Sequence, residues 1–142
     1  MATSSVSFQF QHPTFKLRHR NAVRSWIQHC VDQEGGAIGS LSFLFCDDDH
    51  VLQANRQFLE HDYLTDILTF PDHSAKGIAG DIMISVDRTR DNAKHLKTNA
   101  IDELHRVIAH GVLHLLGYND HSPAERETMR QREDLWLSQR PF

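Results

Sequence analysis

Two histidines one helical turn apart, His110 and His114, are the residues of this sequence best placed to do chemistry. Residues at positions i and i+4 of a helix lie on one face, so two such imidazole rings can direct nitrogens to a single cation. Gly117 follows and is suited to end the helix, because glycine readily adopts the left-handed conformation. The chain can then turn back and bring a third ligand to the same metal.

The third ligand is expected directly after this glycine. The spacing H-x3-H-x2-G-x2 matches the zinc motif of the metzincin proteases and gives Asp120 as the third ligand. His121 comes one residue later, and histidine is in general the more usual zinc ligand. The spacing favours Asp120 and leaves His121 open as the alternative.

Gly111 separates the sequence from the metalloproteases. Those enzymes carry a glutamate general base directly after the first histidine, and here that position is a glycine. Peptide hydrolysis by the usual route would therefore lack its base. Other acidic residues that could act at the site are Glu103, on the same predicted helix face as the histidines, and Asp81, which either faces the site or caps a turn.

Hydrophobic periodicity predicts the helix that carries the two histidines. It runs over about residues 100–116, with Glu103, His110 and His114 on a polar stripe beside the apolar one. The apolar stripe consists of Ile101, Leu104, Ile108, Val112 and Leu115.

The other elements follow from the same patterns. Strands are predicted over about residues 6–10, 41–46, 66–70 and 81–86, with 72–80 as a loop. Helices are predicted around 23–31, from 47 to about 60, over 87–97, and from Ser122, where a capping box begins the last one. This order predicts one domain spanning residues 1–142, of the α+β or α/β class, with a small mixed sheet.

Composition limits the possible functions and the compartment. A formal charge of −4 over 142 residues argues against a general nucleic-acid coat protein. A local basic cluster, Lys16, Arg18, Arg20 and Arg24 with His19, is interpreted as a solvated helix face, with an RNA-contact patch as the alternative. Cys30 and Cys46 lack metal-site spacing and are predicted to be reduced core thiols. No signal peptide or membrane-spanning run is visible, so a cytoplasmic location is expected.

Three segments resemble one known family. The run from His110 to Tyr118 resembles the H-G-x-L-H-L-x-G-Y-D-H signature of the YbeY endoribonuclease family. The segment from Asn55 to Pro71 resembles its N-x-x-Y-R-x-x-D-x-x-T-D-V-L-S-F-P block, and residues 80–85 resemble its G-D-I-x-I-S strand. From about Leu41 onward most of the chain fits the family in order.

The resemblance implies a zinc-dependent endoribonuclease that cuts single-stranded RNA. Family members mature the 3′ end of 16S ribosomal RNA and take part in ribosome quality control. The implied structure is an α+β fold with a four-stranded sheet, about five helices and one zinc ion held by three side chains. The implied partners are ribosomal RNA, ribosomal particles and a ribosome-assembly GTPase, with no membrane.

The resemblance also assigns site residues. The metal ligands are His110, His114 and Asp120, since a subgroup of the family uses aspartate at the third position, and His121 is the alternative. The predicted catalytic residues are His114, Arg56 and Asp81. Arg56 is proposed as a substitute because Leu59 stands where many members carry an arginine. A basic rim for RNA is expected from Arg18, Arg20, Arg24 and Arg56.

Two other functions compete with this prediction. A non-catalytic ribosome-assembly factor would hold a structural zinc closed by four protein ligands. A zinc peptidase-like hydrolase would use the same ligands on another substrate. A chance pair of histidines in an ordinary domain is the third alternative.

Overall fold

The computed structural model describes residues 5–142. The strands are β1 (Ser5–Gln11), β2 (Ile38–Cys46), β3 (Ile67–Pro71) and β4 (Ile78–Ser85). The helices are α1 (Arg20–Gln33), α2 (Asp48–Leu59), α3 (Val86–Leu96), α4 (Ala100–Leu115) and α5 (Pro123–Ser138). The order of elements is the one that the sequence predicts.

The four strands form one mixed sheet in the order β1-β2-β4-β3. β1 and β2 are parallel, β2 and β4 are parallel, and β3 runs antiparallel to β4 at the edge. Helix α1 makes the crossover that a parallel β1–β2 pair requires. The α+β class with a small four-stranded mixed sheet and about five helices is thus confirmed.

The main hydrophobic core lies on one face of the sheet. Ile82 and Ile84 of β4 point to this face, where Trp26 of α1, Ile108 of α4 and Trp136 of α5 pack against them in one cluster. Because successive strand residues face opposite sides, their neighbour Met83 points the other way. There it joins a smaller cluster with α2. Helices α4 and α2 therefore lie on opposite faces of the sheet.

Helix α4 passes very close to the sheet at Gly111. A Cβ atom built on this glycine would lie 2.8 Å from Ile67 Cδ1 and 3.2 Å from Ile82 Cγ2. Gly111 is buried and faces the sheet. The structure thus gives a packing reason for the glycine at the position where metalloproteases have glutamate.

Strand β4 begins three residues earlier than predicted. Ile78, Ala79 and Gly80 lie in the strand, where the sequence suggests a loop, and Pro71 pairs with Gly80. Gly80 has φ +151°, and a Cβ atom there would lie 2.4 Å from Phe70 O. Gly80 therefore permits β3 and β4 to pair closely. In the sequence pattern, the same glycine indicates a loop.

One further expectation about burial is wrong. Ile101, assigned to the apolar stripe of α4, is 50% exposed because it lies in the first turn, beyond the core. Asn55 of α2 is a polar residue that is completely buried. Its Nδ2 donates to Tyr63 O at 2.9 Å and so holds the segment that leads into β3.

The two cysteines behave as predicted. Cys30 and Cys46 are free and buried, and burial raises the pKa of each thiol to about 12. Among the helices of residues 5–142, none has the length and apolar character to cross a membrane.

Candidate metal centre

The ends of α4 are fixed by local interactions. Asn99 caps the first turn, its side-chain oxygen accepting from Ile101 N at 2.7 Å. At the other end Gly117, with φ +108°, reverses the chain, and its N–H donates to His114 O at 3.0 Å. Tyr118 N donates to Leu113 O at 3.1 Å, which completes a Schellman motif. The predicted turn therefore exists and returns the chain towards the histidines.

This turn brings Asp120 to both histidine rings. Asp120 Oδ2 lies 3.4 Å from His110 Nε2 and 3.4 Å from His114 Nε2. The two rings are 4.5 Å apart between centroids and nearly perpendicular, at 85°. One ligand atom from each of the three residues lies within 4.8 Å of the others, and all three residues are half-buried. The structure gathers His110, His114 and Asp120 into one group that could hold a metal ion.

The alternative ligand, His121, is outside this group. Its residue is exposed, and its carbonyl accepts from Arg126 Nη1 at 3.2 Å. Helix α5 begins directly afterwards with the capping box that the sequence predicts: Ser122 Oγ accepts from Glu125 N at 3.1 Å, and Ser122 N donates to Glu125 Oε1 at 2.9 Å. The capping box thus fixes the start of α5 two residues after His121.

Glu133 of α5 orients the first histidine. Its Oε2 accepts from His110 Nδ1 at 2.7 Å, and its Oε1 accepts from Arg106 Nη1 at 3.0 Å. Arg106 also reaches Asp134 Oδ1 at 2.6 Å. The hydrogen bond from Nδ1 to Glu133 thus orients the ring so that Nε2 faces Asp120.

The same hydrogen bond controls the charge of His110. Burial acts to lower the pKa of this imidazole, but the hydrogen bond and charge of Glu133 outweigh it, and the pKa lies above its ordinary value. Burial raises the pKa of the Asp66 carboxyl, directly before β3, while the charge of His110 lowers it and that of Glu133 raises it. Burial likewise raises the pKa of Glu103. The metal group thus has partly buried acidic side chains around it.

The donor set and its spacing fit a metal ion. With metal–ligand bonds of about 2.0–2.1 Å, tetrahedral ligand atoms lie about 3.3 Å apart, which is close to the two 3.4 Å separations from Asp120. Two imidazoles and one carboxylate are ordinary ligands of Zn²⁺ and of related divalent metals. Within residues 5–142 the group has these three members.

The other predicted catalytic residues lie elsewhere. Asp81 is exposed and lines a cavity with Phe58 and Met83, on the face of the sheet that α2 covers. Arg56 is an exposed residue of α2 and forms an ion pair with Asp62. The structure therefore does not bring either side chain to the metal group, and their catalytic roles stay predictions.

The arginines predicted to form a basic rim lie in separate parts of the structure. Arg20 lies over the Phe10 ring, 4.6 Å from its centroid, and Arg24 lies over the Phe8 ring at 5.0 Å. Arg24 Nε also donates to Val6 O at 2.9 Å. These two arginines pack along β1, while Arg18 points into a separate cleft.

The sequence analysis does not assign two residues that lie beside the metal group. Glu133 falls between Met129 and Trp136 on the buried face of α5, so a lone carboxylate in an apolar stripe was the signal available. The sequence places Asp66 at the start of a predicted strand, with no role at the site. Its position next to the metal group depends on the register of β3 beside β4, which the sequence pattern did not specify.

The chain is similar to known proteins over almost its whole length. The family described as "Endoribonuclease YbeY" matches residues 6–140. A curated protein of that name from Cytophaga hutchinsonii is 46% identical, covering 100% of both chains. Another, from Parabacteroides distasonis, is 42% identical over 97% of this chain and 95% of its own.

A solved structure shares the fold. The solution structure of a Thermotoga maritima protein matches with a TM-score of 0.63 at 22% identity, covering 93% of this chain and 87% of that one. The family match extends over almost the whole described chain, and the curated relatives align from end to end. The chain therefore belongs to the YbeY endoribonuclease family.

Proposed function

We propose that the protein is a metal-dependent endoribonuclease that cuts single-stranded RNA, with zinc as its metal. The observation that carries this proposal is the group of His110, His114 and Asp120 in a chain whose relatives are named endoribonucleases. We further propose that its substrate is ribosomal RNA, at the 3′ end of 16S RNA, and that it acts on ribosomal particles in the cytoplasm together with a ribosome-assembly GTPase.

The chemistry of the group supports hydrolysis. A divalent metal bound there would act as a Lewis acid on a phosphodiester oxygen and would lower the pKa of a coordinated water. The protein's own contribution is positioning. His110 and His114 direct their Nε2 atoms towards Asp120 Oδ2, and Glu133 holds the His110 ring in place.

Three protein ligands favour catalysis over a structural role. A structural zinc site is normally closed by four side chains, whereas a catalytic site leaves a position for water or substrate. Within the described residues no fourth histidine, cysteine or carboxylate joins the group, and His121 lies outside it. Gly111 and its tight packing also argue against a peptidase, because a glutamate base does not fit there.

The general base stays a prediction. Glu103 is carried on α4 with the two histidines, and its charge is coupled to those of Asp66 and Glu133. Asp81 lies on the other face of the sheet. Glu103 precedes His110 by seven residues, or about two helical turns, so neither carboxylate lies in the metal group.

The proposed function is tested by RNA cleavage. Labelled single-stranded RNA is incubated with the wild-type protein, with chelator-treated protein, with treated protein given Zn²⁺ again, and with His114→Ala. We expect cleavage to be lost on chelation, restored by the metal and lost in His114→Ala. The matched control is His95→Ala, a change of an exposed histidine on α3, which should cut at the wild-type rate. Cleavage by His114→Ala at that rate would overturn the proposal.

A further inference from the structure

A second cleft opens away from the metal group. It has a volume of about 400 Å³ and lies between the segment before α1, one residue of α3, the first half of α4 and the residues that follow α5. The lining residues that matter here are Lys16, Arg18, His19, Arg90, Arg140 and Phe142. None of the metal ligands lines this cleft.

Helix α4 separates the two sites. His105 of α4 lines the cleft and precedes His110 by five residues. At 3.6 residues per turn, five residues correspond to a rotation of about 140° round the helix axis beyond a full turn. The cleft and the metal group are therefore on different sides of the same helix.

The cleft concentrates positive charge in an acidic chain. Lys16, Arg18 and Arg90 line it, and none of the three forms an ion pair within residues 5–142. The one acidic residue in the lining, Asp102, is paired with Arg140, whose Nη1 lies 2.8 Å from Asp102 Oδ1. Since the whole chain has a formal charge of −4, this local excess of cations favours an anionic ligand.

Further donor groups border the cleft. His105 is 4% exposed, and its Nδ1 accepts from Arg140 Nη1 at 2.8 Å. Burial, with Arg140 beside it, lowers the pKa of His105 to about 4. The neutral ring must then carry its proton on Nε2, which makes no hydrogen bond within the described chain. Helix α1 begins at Arg20, with no side-chain cap from His19 and no acidic residue in its first turn, so the positive end of the helix dipole is not compensated.

An aromatic surface completes the lining. Phe142 is 39% exposed and stacks against His19, with ring centroids 6.0 Å apart and an interplanar angle of 22°. Proteins that bind single-stranded nucleic acid combine cationic side chains that contact the backbone with aromatic rings on which bases stack. A cleft of this volume is within the range that holds small-molecule ligands.

We propose that this cleft binds one nucleotide of a single-stranded RNA, its phosphates on Lys16, Arg18 and Arg90 and its base against Phe142. This inference rests on the proposed function, because it makes the cleft a second contact for the same substrate. An RNA strand that reaches both sites would be held at a fixed distance from the metal group.

The test measures RNA affinity separately from cleavage. A short fluorescent single-stranded RNA is titrated with protein in chelator, and binding is followed by anisotropy. The variants are Arg18→Glu and Arg90→Glu, both at exposed positions, and the matched charge reversal is Lys76→Glu, on the exposed loop between β3 and β4. We expect each cleft variant to weaken binding about tenfold or more, and the control to weaken it less than about twofold.

The salt dependence gives a second measurement. Each lost phosphate contact should reduce the slope of log K against log salt concentration by about 0.7 for a single strand. Thermal unfolding of the three variants, expected to match the wild type, excludes misfolding as the cause.

The possible outcomes distinguish the two proposals. If Arg18→Glu and Arg90→Glu bind RNA as Lys76→Glu does, the cleft is not an RNA site, while metal-dependent cleavage by the wild type would still support the proposed function. If the wild type cuts RNA but has no measurable affinity for the probe, the cleft inference alone is overturned. If it neither binds nor cuts RNA, both proposals are wrong.

Discussion

Glu133 Oε2 lies 2.7 Å from His110 Nδ1 and so joins the last helix to the metal group. The contact is made from a buried position, since Glu133 is 6% exposed. Its other oxygen is held by Arg106, at 3.0 Å. The orientation of the first histidine therefore depends on a carboxylate that is 23 residues away in the sequence.

Replacing Glu133 with glutamine should weaken metal binding. The amide keeps the shape of the side chain but loses the charge that favours the Nδ1-protonated, Nε2-coordinating ring. Loss of such a partner typically lowers metal affinity about 10–100-fold. We expect a decrease in this range for Glu133→Gln, measured by Zn²⁺ titration against a competing chelator.

Asp134→Asn provides the matched control for this substitution. Asp134 contacts the same Arg106, at 2.6 Å, and the structure gives it no contact with His110. Its metal affinity should stay within about twofold of the wild type, as expected for a surface ion pair. Equal losses in both variants would mean that Arg106, rather than the Glu133–His110 contact, sets the affinity.

The sequence was sufficient for features that depend on local patterns. The order of strands and helices, the capping box at Ser122 and the glycine turn at Gly117 all follow from neighbouring residues, and each is confirmed. The spacing rule also favoured Asp120, which is the residue that the turn brings to the histidines.

Features that depend on packing between distant elements could not be predicted. The contact of Glu133 with His110 requires the crossing of α5 over α4, and the place of Asp81 depends on which side of β4 faces α4. The exposure of Ile101 reflects where the core ends along α4, which helical periodicity alone does not define. Strand pairing likewise decided that β4 starts at Ile78.

A glutamate at position 111 should destabilise the fold. The Cβ atom alone would approach Ile67 and Ile82 to 2.8 and 3.2 Å, and the carboxylate would be buried against the sheet. Overpacking and burial of an unpaired charge together should cost about 3 kcal/mol or more in the free energy of unfolding. Urea denaturation of Gly111→Glu measures this, and the same protein should show no cleavage of casein.

Ile101→Glu is the matched control, because it places a glutamate at an exposed position of the same helix. Because Ile101 is 50% exposed, this change should alter the free energy of unfolding by about 0.5 kcal/mol or less. A Gly111→Glu protein as stable as Ile101→Glu would show that the close approach of α4 to the sheet is not required.

His105 should make stability depend on pH. Burial and Arg140 lower its pKa from 6.5 to about 4 in the folded protein. Below pH 6.5 the unfolded chain therefore binds a proton that the folded chain does not, and stability falls as the pH falls, until the folded form also binds it near pH 4. The contribution lost over this interval is on the order of 3 kcal/mol.

His105→Gln isolates this contribution. The amide oxygen can still accept from Arg140, but it does not titrate. The free energy of unfolding, measured by urea denaturation at several pH values from 7 to 4, should fall less steeply in the variant than in the wild type. Parallel curves for the two proteins would contradict the assignment.

Asp120 and His121 are the two candidates for the third metal ligand, and removing each of them should have a different effect on metal binding. Asp120 Oδ2 is 3.4 Å from both histidine Nε2 atoms, whereas His121 is exposed and outside the group. Removing one of three ligands takes away a metal bond, while removing an exposed neighbour takes away none. We expect Asp120→Ala to lower Zn²⁺ affinity about 100-fold or more, and His121→Ala to leave it within about twofold. Metal content after dialysis and chelator competition measure both. Loss of zinc from His121→Ala with retention in Asp120→Ala would reverse the assignment and would require the turn after Gly117 to rearrange when the metal binds.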